Sequence, residues 1–252
     1  MCGKTKKIIL LAIIIAALQL LIFSGTSFSL SVTDSNSKHN LSITGPYFTF
    51  STGVPDEDEV CVYCHTPHGA IVDDGSGNKL PLWNRSISGL AAQTFNVYAS
   101  STLNAAPDSQ LKGMTLLCMS CHDGVSALNV VQNFRGASPF TFTDLGGGDQ
   151  IEDVWNPSMP GYPGANIGES AAKDLSNDHP VSFVFDSTLR TADGGVGLND
   201  PTTIAPLRLF NGRLECATCH NPHDQGDELL GTDPFLRMTN LNSDMCLKCH
   251  NK

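Results

Sequence analysis

The chain has few basic residues. Lys and Arg number 15 against 25 Asp and Glu, so the formal net charge is −10 at pH 7. A protein this acidic repels phosphate backbones, which excludes nucleic acid as a partner. Long amphipathic periodicity is also missing, while 23 Gly and 14 Pro favour frequent turns. We therefore expect little regular secondary structure, in short elements only.

The chain also lacks an apolar run long enough to cross a bilayer comfortably. The run from Ile8 to Phe23 has 16 residues, whereas a spanning helix needs roughly 20. Basic residues precede it and small polar residues follow it, which is the order of a secretory signal peptide over residues 1–29. An uncleaved membrane anchor is the alternative. We expect export, loss of Cys2 with the signal, and no stable membrane span in the mature chain.

Cysteine and histidine, in contrast, are abundant. There are nine Cys and eight His, and the eight cysteines beyond the signal form four copies of Cys-x-x-Cys-His. In this motif two thiols one helical turn apart form thioethers with one c-type haem, and the following His binds the iron from its proximal side. Four covalently attached haems are thus predicted, at Cys61-Val-Tyr-Cys64-His65, Cys118-Met-Ser-Cys121-His122, Cys216-Ala-Thr-Cys219-His220 and Cys246-Leu-Lys-Cys249-His250.

Other uses of paired cysteines fit this pattern less well. Zinc ribbons contain Cys-x-x-Cys knuckles but need no His after every second cysteine. A disulfide framework suits an exported chain but would not repeat one spacing four times with His attached. A thioredoxin-like redox site needs a βαβ setting that the sequence does not show. Four identical motifs behind an export signal therefore favour a tetrahaem c-type cytochrome.

The remaining histidines match the number of iron ligands still needed. An internal repeat supports the assignment of all four as iron ligands. In each half of the chain a leading His precedes CVYCHTPH or CATCHNPH, and another CxxCH follows. Each half of the chain thus supplies four axial ligands for two irons. Taken singly, each could instead be an ordinary surface or core histidine. The predicted distal iron ligands are His39, His68, His179 and His223.

The spacing within CxxCHxPH indicates that haems lie close together. His65 and His68 are three residues apart, with Pro67 between them, so they span at most ~10 Å. Two rings so close cannot easily bind opposite faces of one haem, and we expect the second to ligate a neighbouring haem. Haems with two imidazole ligands have no open position for substrate and have low potentials. The pattern is typical of electron transfer, and we assign no catalytic residue.

The repeat also organises the chain. It predicts dihaem modules at 30–135 and 176–252, joined by a Gly- and Pro-rich loop over 136–175. We expect a coil-rich fold in which each CxxCH opens a single helical turn. Between the motifs we predict a helix at Ser126–Phe134, a strand at Val181–Phe185, a hairpin at Leu207–Glu215, and a turn rather than a calcium site at Asp73–Asn78.

The segments CVYCHTPH, PLWNR, LCMSCHDG, LSNDHPVSF, ECATCHNPHD and CLKCHNK resemble the doubled-CxxCH multihaem cytochromes. Their order and number are most similar to the extracellular tetrahaem cytochromes that polymerise into filaments, the cytochrome nanowires. The resemblance covers most of the chain from His39 to Lys252 and is weaker from Phe140 to Ser170. It implies bis-histidine ligation of all four haems, a continuous haem stack, and one distal histidine donated to a haem of the adjoining subunit.

The repeat suggests a hypothesis for that joint between subunits. If each leading His reaches back to the preceding module, His179 serves module one and His39 has no preceding module in its own chain. A haem of module two, such as that of His250, would then take His39 from the next subunit and give a head-to-tail filament. The alternative is that His39 folds back within its own chain, which completes a monomer.

Three functions are compatible with these motifs. A subunit of an extracellular filament would carry electrons to distant acceptors, such as metal oxides or other cells. A periplasmic shuttle, or a subunit of a membrane complex, would exchange electrons with other redox proteins without self-assembly. A multihaem reductase is disfavoured because it needs an open axial position, and the histidine count closes every site. We expect an exported electron carrier that is not an enzyme, outside the cell or, alternatively, in the periplasm.

With so little regular structure, the porphyrin faces must supply much of the apolar core. We therefore predict that the chain does not fold without its haems. Chain produced without haem attachment should give the far-ultraviolet circular dichroism of an unfolded protein. Cooperative thermal unfolding of that haem-free chain would contradict the prediction.

Overall fold

Most of the protein consists of turns and irregular segments. The computed structural model describes residues 31–45, 59–126, 128, 131–133, 166–168, 173–224 and 235–251. The helices of these residues are α1 (Ser88–Ala91), α2 (Gly113–His122), α3 (Ser187–Ala192), α4 (Cys216–Cys219) and α5 (Cys246–Cys249), with 3-10 turns at Val60–Tyr63 and Leu241–Ser243. Only α2, with ten residues, has more than two turns. This agrees with the coil-rich fold predicted from the sequence.

Three small sheets, each of two strands, complete the regular structure that is described. The strands are β1 (Ile71–Asp73), β2 (Lys79–Trp83), β3 (Asn96–Val97), β4 (Asp174–Leu175), β5 (Phe183–Val184) and β6 (Arg213–Leu214). β1 pairs with β2 and β5 with β6 in antiparallel fashion, whereas β3 and β4 run parallel. The parallel pair joins the first half of the chain to the segment that leads into the second.

Several of the predicted short elements are found. The strand predicted at 181–185 is β5. In the predicted hairpin, Phe210 and Arg213 exchange both backbone hydrogen bonds at 3.0 Å. The two residues between them, Asn211 and Gly212, have φ values of 52° and 72°, as a two-residue primed turn requires.

The predicted turn at Asp73–Asn78 connects β1 to β2 and has a structural role. The Asp74 carboxylate accepts hydrogen bonds from the backbone N–H groups of Ser76 and Asn78 within the turn, at 2.8 and 3.1 Å. It also accepts one from the N–H of Gly113, at 2.8 Å, the first residue of α2. A carboxylate at this position satisfies a donor that the helix leaves without an internal partner.

The helix predicted at Ser126–Phe134 is not found in its described residues. Residues 126, 128 and 131–133 form turns, bends or irregular structure, and the others of that stretch lie outside the described residues. Asp123 explains the difference, because its carboxylate accepts hydrogen bonds from the N–H groups of Val125 and Ser126, at 3.0 and 2.7 Å. This local turn competes with a helix.

The signal peptide predicted over 1–29 lies outside the described residues, as does most of the loop at 136–175. Among the residues that are described, no helix is long and apolar enough to cross a membrane.

Two hydrophobic clusters hold these short elements together. The first surrounds α2 and consists of Leu80, Trp83, Ile87, Leu90, Phe95, Leu111, Leu116, Leu117, Met119 and Leu175. The second lies against the β5–β6 sheet and consists of Phe183, Phe185, Ile204, Leu207 and Leu214, with Met245 and Cys249 packed against it. One cluster therefore supports the second CxxCH motif and the other supports the fourth.

A buried carboxylate joins the two halves. Glu215, 1% exposed, precedes α4 and accepts a hydrogen bond from the N–H of Thr115 in α2 at 3.1 Å, and a second from the Thr115 hydroxyl. The Arg213 Nε donates to its other oxygen at 2.9 Å. Burial raises the pKa of Glu215, while Thr115 and Arg213 act in the opposite direction. Because α2 ends in the second CxxCH and α4 forms the third, this carboxylate fixes one motif relative to the other.

We predict that Glu215→Ala lowers the free energy of unfolding of the haem-loaded protein by about 3 kcal/mol, because it leaves buried donors of Thr115 and Arg213 without their acceptor. Denaturant unfolding would measure the change. Asp244→Ala, which removes an exposed acidic side chain, is the matched control and should change that free energy by no more than about 0.5 kcal/mol. Equal effects of the two substitutions would contradict the role given to Glu215.

Candidate haem sites

Each CxxCH segment forms a helical turn. In three of them the backbone N–H of the histidine donates to the carbonyl of the first cysteine, over 2.8 Å for His65, 3.0 Å for His220 and 2.9 Å for His250. The turn brings residues three apart to one side of the backbone, so both thiols can reach one ligand. The predicted opening turn is present at the third and fourth motifs, whose cysteines bound α4 and α5. The first motif is a 3-10 turn, and the second ends α2 instead of opening a helix.

The thiols of the first three motifs influence one another in sequence order. Burial, followed by the nearby Cys121 thiol, raises the pKa of Cys64 to about 12. A hydrogen bond between the thiols of Cys118 and Cys216, on α2 and α4, is the largest influence on both, raising the pKa of Cys118 and lowering that of Cys216. The second motif therefore contacts the third directly and lies beside the first.

The fourth motif continues this order. Burial raises the pKa of Cys219 to about 11, and the thiols of Cys216 and Cys246 add to the effect. Cys249 likewise has its pKa raised to about 11, by burial first and then by Cys219. The four CxxCH motifs thus follow one another in space as they do along the chain.

Six histidines of the described residues lie in three pairs. Each of three pairs contains one histidine predicted as a proximal ligand and one predicted as a distal ligand. The ring centres are 6.1 Å apart in His39–His122, 6.0 Å in His65–His223 and 6.3 Å in His179–His250. Within the same residues, no three His, Cys, Asp or Glu side chains converge as they would around a bare metal ion.

The spacing in these pairs fits an iron held between two imidazoles. An imidazole nitrogen binds a metal at about 2 Å and lies about 1 Å from its own ring centre, so two rings on opposite sides of one iron have centres about 6 Å apart. The observed separations, 6.0–6.3 Å, are close to this value. Each pair also includes the histidine of a different CxxCH, next to the thiols that would hold the porphyrin. The residues present therefore fit three bis-histidine haems.

The pairing differs from the hypothesis based on leading histidines. His179 lies against His250 of its own half instead of reaching back to module one, and His39 lies against His122. The histidine that crosses between the halves is His223, whose ring centre is 6.0 Å from that of His65, with the ring planes 17° apart. His65 thus faces His223 and not His68, as the short spacing of the CxxCHxPH segment predicts.

Backbone carbonyls of proline orient a ring in each pair, a feature that the sequence analysis missed. The Nδ1–H of His39 donates to the carbonyl of Pro222 at 3.2 Å. His65 donates in the same way to Pro81 at 2.5 Å, and His179 donates to Pro180 at 2.9 Å. Donation from Nδ1 fixes the tautomer and leaves Nε2 to bind a metal. Only Pro180 stands beside its histidine in the sequence, whereas the other two contacts span 16 and 183 residues and have no local signal.

His39 is half-buried and has an aromatic neighbour. Its ring centre is 4.2 Å from that of Phe235. Burial, followed by His122, lowers the pKa of His39 to about 3. The ring is therefore neutral at physiological pH, which is the state that coordinates metals.

His68 and His220 are the two predicted ligands outside these three pairs, and both are exposed. The carbonyl of His68 accepts hydrogen bonds from Asn133 Nδ2 at 2.8 Å and from the Thr66 hydroxyl at 3.1 Å. His220 forms an antiparallel bridge with Leu236.

Two buried polar residues, Asn84 and Arg85, also went unrecognised in the sequence. Asn84 Nδ2 donates to the carbonyls of Val62 at 2.5 Å and Asn133 at 2.9 Å, and its Oδ1 accepts from the Asn133 N–H at 2.9 Å. Asn84 thereby joins the first CxxCH to residues 132–133. Such a role depends on a contact 49 residues away along the chain, which no local pattern indicates.

The Arg85 guanidinium lies between the first two motifs. It donates to the carbonyls of Leu128 at 2.7 Å and Ser120 at 3.1 Å. Although burial is the largest influence on the thiols of Cys64 and Cys121 and raises their pKa values, Arg85 opposes it in both. This places a buried positive charge beside the thiols of two CxxCH motifs.

Asn84→Ala should lower the free energy of unfolding by about 2 kcal/mol, because two part-buried carbonyls and one part-buried N–H lose the buried Asn84 amide as their partner. Asn96→Ala is the matched control, since the Asn96 amide bonds the Asp174 carboxylate at the surface and its loss should cost less than about 1 kcal/mol. Chemical denaturation of the haem-loaded variants would measure both values. If both variants unfold at the same denaturant concentration, Asn84 does not have the bracing role described here.

Comparison with known proteins gives no family assignment. No protein-family model matches the chain, and no curated protein matches it either. What the protein does must therefore be inferred from its own motifs and from the contacts of its histidines.

Proposed function

We propose that the protein is an exported tetrahaem c-type cytochrome that transfers electrons. The single observation that carries this proposal is the set of three histidine pairs with ring centres 6.0–6.3 Å apart, each joining a CxxCH histidine to a second imidazole. Ordinary surface or core histidines have no reason to meet repeatedly at this distance beside paired cysteines. Bound haem supplies one-electron chemistry, and the chain supplies attachment, axial ligands and surroundings.

The residue roles follow from the motifs and pairs together. Cysteine thiols of each CxxCH form the thioethers, and the histidine that follows binds the iron on one side. The proposed axial pairs are His39 with His122, His65 with His223, and His179 with His250. Because both axial positions are filled by protein in these sites, substrate has no place to bind, which supports electron transfer over catalysis.

The proximity of successive CxxCH motifs supports electron transfer from one proposed haem site to the next. Thiols of successive motifs influence one another from the first motif to the fourth, and His223 connects the two halves because its ring pairs with that of His65. We include in the proposal the two dihaem modules at 30–135 and 176–252, arranged so that electrons can pass from each site to the next.

The proposal places the protein outside the cell, as the subunit of a filament that delivers electrons to extracellular acceptors. Support comes from the signal-like N-terminus and from the resemblance to filament-forming tetrahaem cytochromes. A monomer that shuttles electrons in the periplasm, or within a membrane complex, would use the same four sites. Electron microscopy of the native protein sheared from cells distinguishes filaments from monomers.

We predict four haems per chain, all low-spin in the assembled protein. The absorbance of the pyridine haemochrome, which forms in alkaline pyridine while the thioethers stay intact, gives the number per chain, and electron paramagnetic resonance gives the spin states. The double variant Cys246→Ala/Cys249→Ala should retain three haems. His179→Ala should retain four, one of them high-spin, because His250 loses the ring opposite it.

Asn177→Ala is the matched control, since it alters an exposed residue two positions from His179. It should keep four low-spin haems. Fewer than four haems in the parent protein, or four low-spin haems in His179→Ala, would overturn the corresponding part of the proposal.

A further inference from the structure

We propose that Arg85 and Arg237 make the two inner haem sites, those of the second and third CxxCH motifs, easier to reduce than the two outer ones. This inference rests on the proposed function and adds to it the order in which the four sites take up electrons. It follows from the side chains that hold the four motifs in place, because these side chains differ in charge.

Three of the motifs are held by the same pair of contacts. A residue from elsewhere in the chain donates its backbone N–H to the carbonyl of the second cysteine, and its side chain donates to the carbonyl of the residue after the first cysteine. This residue is Asn84 at the first motif, Arg237 at the third and Asn199 at the fourth. The backbone contacts are 2.9, 2.8 and 2.8 Å long, and the side-chain contacts are 2.5, 2.7 and 2.9 Å long. A neutral amide thus holds the first and fourth motifs, whereas a guanidinium holds the third.

The second motif also has an arginine on one of its inner carbonyls. Arg85, 3% exposed, donates at 3.1 Å to the carbonyl of Ser120, which lies between Cys118 and Cys121. It also donates to the carbonyl of Leu128 at 2.7 Å. Both carbonyls are neutral, so they orient the positive charge without cancelling it. From the first motif to the fourth, the side-chain donors are therefore Asn, Arg, Arg and Asn.

This order of charges has a consequence for reduction. The guanidinium of arginine is protonated at any physiological pH. Reduction adds one negative charge to a haem site, and a nearby cation stabilises that charge most where burial lowers the dielectric constant. Hydrogen bonding and burial around a haem are among the means by which a protein sets its potential. A site beside a guanidinium therefore accepts an electron at a higher potential than a site beside an amide.

The influence of the two arginines on nearby thiols agrees with their positions. Burial raises the pKa of Cys121, and Arg85 is the next largest influence and opposes it. Burial and then the Cys121 thiol raise the pKa of Cys64 in the first motif, and Arg85 comes only after them. Arg85 therefore acts chiefly on the second motif. At Cys219 of the third motif, burial and two thiols raise the pKa, and Arg237 acts in the opposite direction.

Buried carboxylates lie near the same two motifs, but their charges are smaller influences or are paired. Asp123 raises the pKa of Cys121, yet it ranks after Arg85 there. Glu215 precedes the third motif and influences a thiol of each inner motif. Arg213 donates to Glu215 at 2.9 Å and so shares its charge. The inner motifs therefore remain the more positive ones.

The consequence for function is a store of electrons within the protein. An electron that enters at an outer site moves to an inner site of higher potential, and two electrons fill the inner pair before the outer sites are reduced. An electron that leaves must first return to an outer site of lower potential. The inner pair therefore keeps its electrons until an acceptor takes one from the adjacent outer site.

The test is a potentiometric titration of the full-length, haem-loaded protein, followed by absorbance and electron paramagnetic resonance. In the parent protein, two haems should be reduced at a higher potential than the other two. Arg85→Gln and Arg237→Gln should each lower the equilibrium constant for reduction of one haem by about tenfold, or about 59 mV for one electron. The double variant should lower two potentials and bring all four closer together.

Conservative and matched variants separate charge from packing. Arg85→Lys and Arg237→Lys keep the positive charge and should keep the parent potentials, even where they lower stability. Lys112→Gln is the matched control, because it removes a positive charge that is paired with Asp108 at 2.9 Å outside the CxxCH segments. It should shift no potential by a comparable amount.

The spin state locates the effect of Arg85. His39→Ala should make the haem of the second motif high-spin, because His39 lies against His122. His179→Ala should do the same for the haem of the fourth motif. Addition of Arg85→Gln should lower the potential of the high-spin haem in the His39→Ala protein and leave that of the high-spin haem in the His179→Ala protein unchanged.

The reverse exchange at the fourth motif tests the inference without removing a buried arginine. Asn199 is half-buried, so there is room for a longer side chain to reach solvent. Asn199→Arg should raise the potential of one haem, and in combination with His179→Ala the affected haem should be the high-spin one.

The outcomes separate this inference from the proposed function. Unchanged potentials in both glutamine variants, an equal shift of all four haems, or no rise in Asn199→Arg would overturn the role of the side-chain charges. Four haems with a single potential in the parent protein would overturn it too, while leaving the tetrahaem function intact. Fewer than four haems in the parent protein would overturn the proposed function itself.

Discussion

The arrangement of this protein depends on holding two imidazole rings about 6 Å apart, repeatedly, with little regular secondary structure. In each observed pair the two histidines come from distant parts of the chain, such as His65 and His223. Helices and sheets fix such distances by long ladders of hydrogen bonds, but here the elements are mostly two to six residues long. Individual polar contacts fix these distances instead. Proline carbonyls orient the rings, and buried side chains such as Glu215 and Asn84 hold the motif segments in register.

This arrangement makes buried polar residues more important than the hydrophobic clusters for the geometry of the sites. The clusters support individual motifs, whereas Glu215 connects α2 to α4 through Thr115. Each buried group has several partners, which is what makes its burial tolerable. Removing one of them disturbs the relative placement of two attachment segments, so the effect extends beyond a single site.

The sequence was sufficient to predict those elements whose structure depends on interactions between residues close together in the chain. The CxxCH motifs predict helical turns because two thiols must reach one ligand, and Asn211-Gly212 predicts its hairpin because both residues accept positive φ. The histidine pairing could not be predicted, since a repeat does not say whether a ligand serves its own half or the other. That is why the leading His179 was expected to reach back, whereas it lies against His250. The role of Asn84 could not be predicted for a similar reason, because its contacts are 22 and 49 residues away along the chain. The helix predicted at Ser126–Phe134 is not found, because the Asp123 side chain forms a turn with the backbone there.

The contact between the thiols of Cys118 and Cys216 has a consequence for maturation. In an oxidising compartment neighbouring thiols form disulfides, and a bond between these two would take one cysteine from each of two CxxCH motifs. If the motifs hold haem as we propose, attachment has to precede the approach of α2 and α4, while the thiols are still apart. Under that proposal the final geometry requires covalent loading first and tertiary closure afterwards.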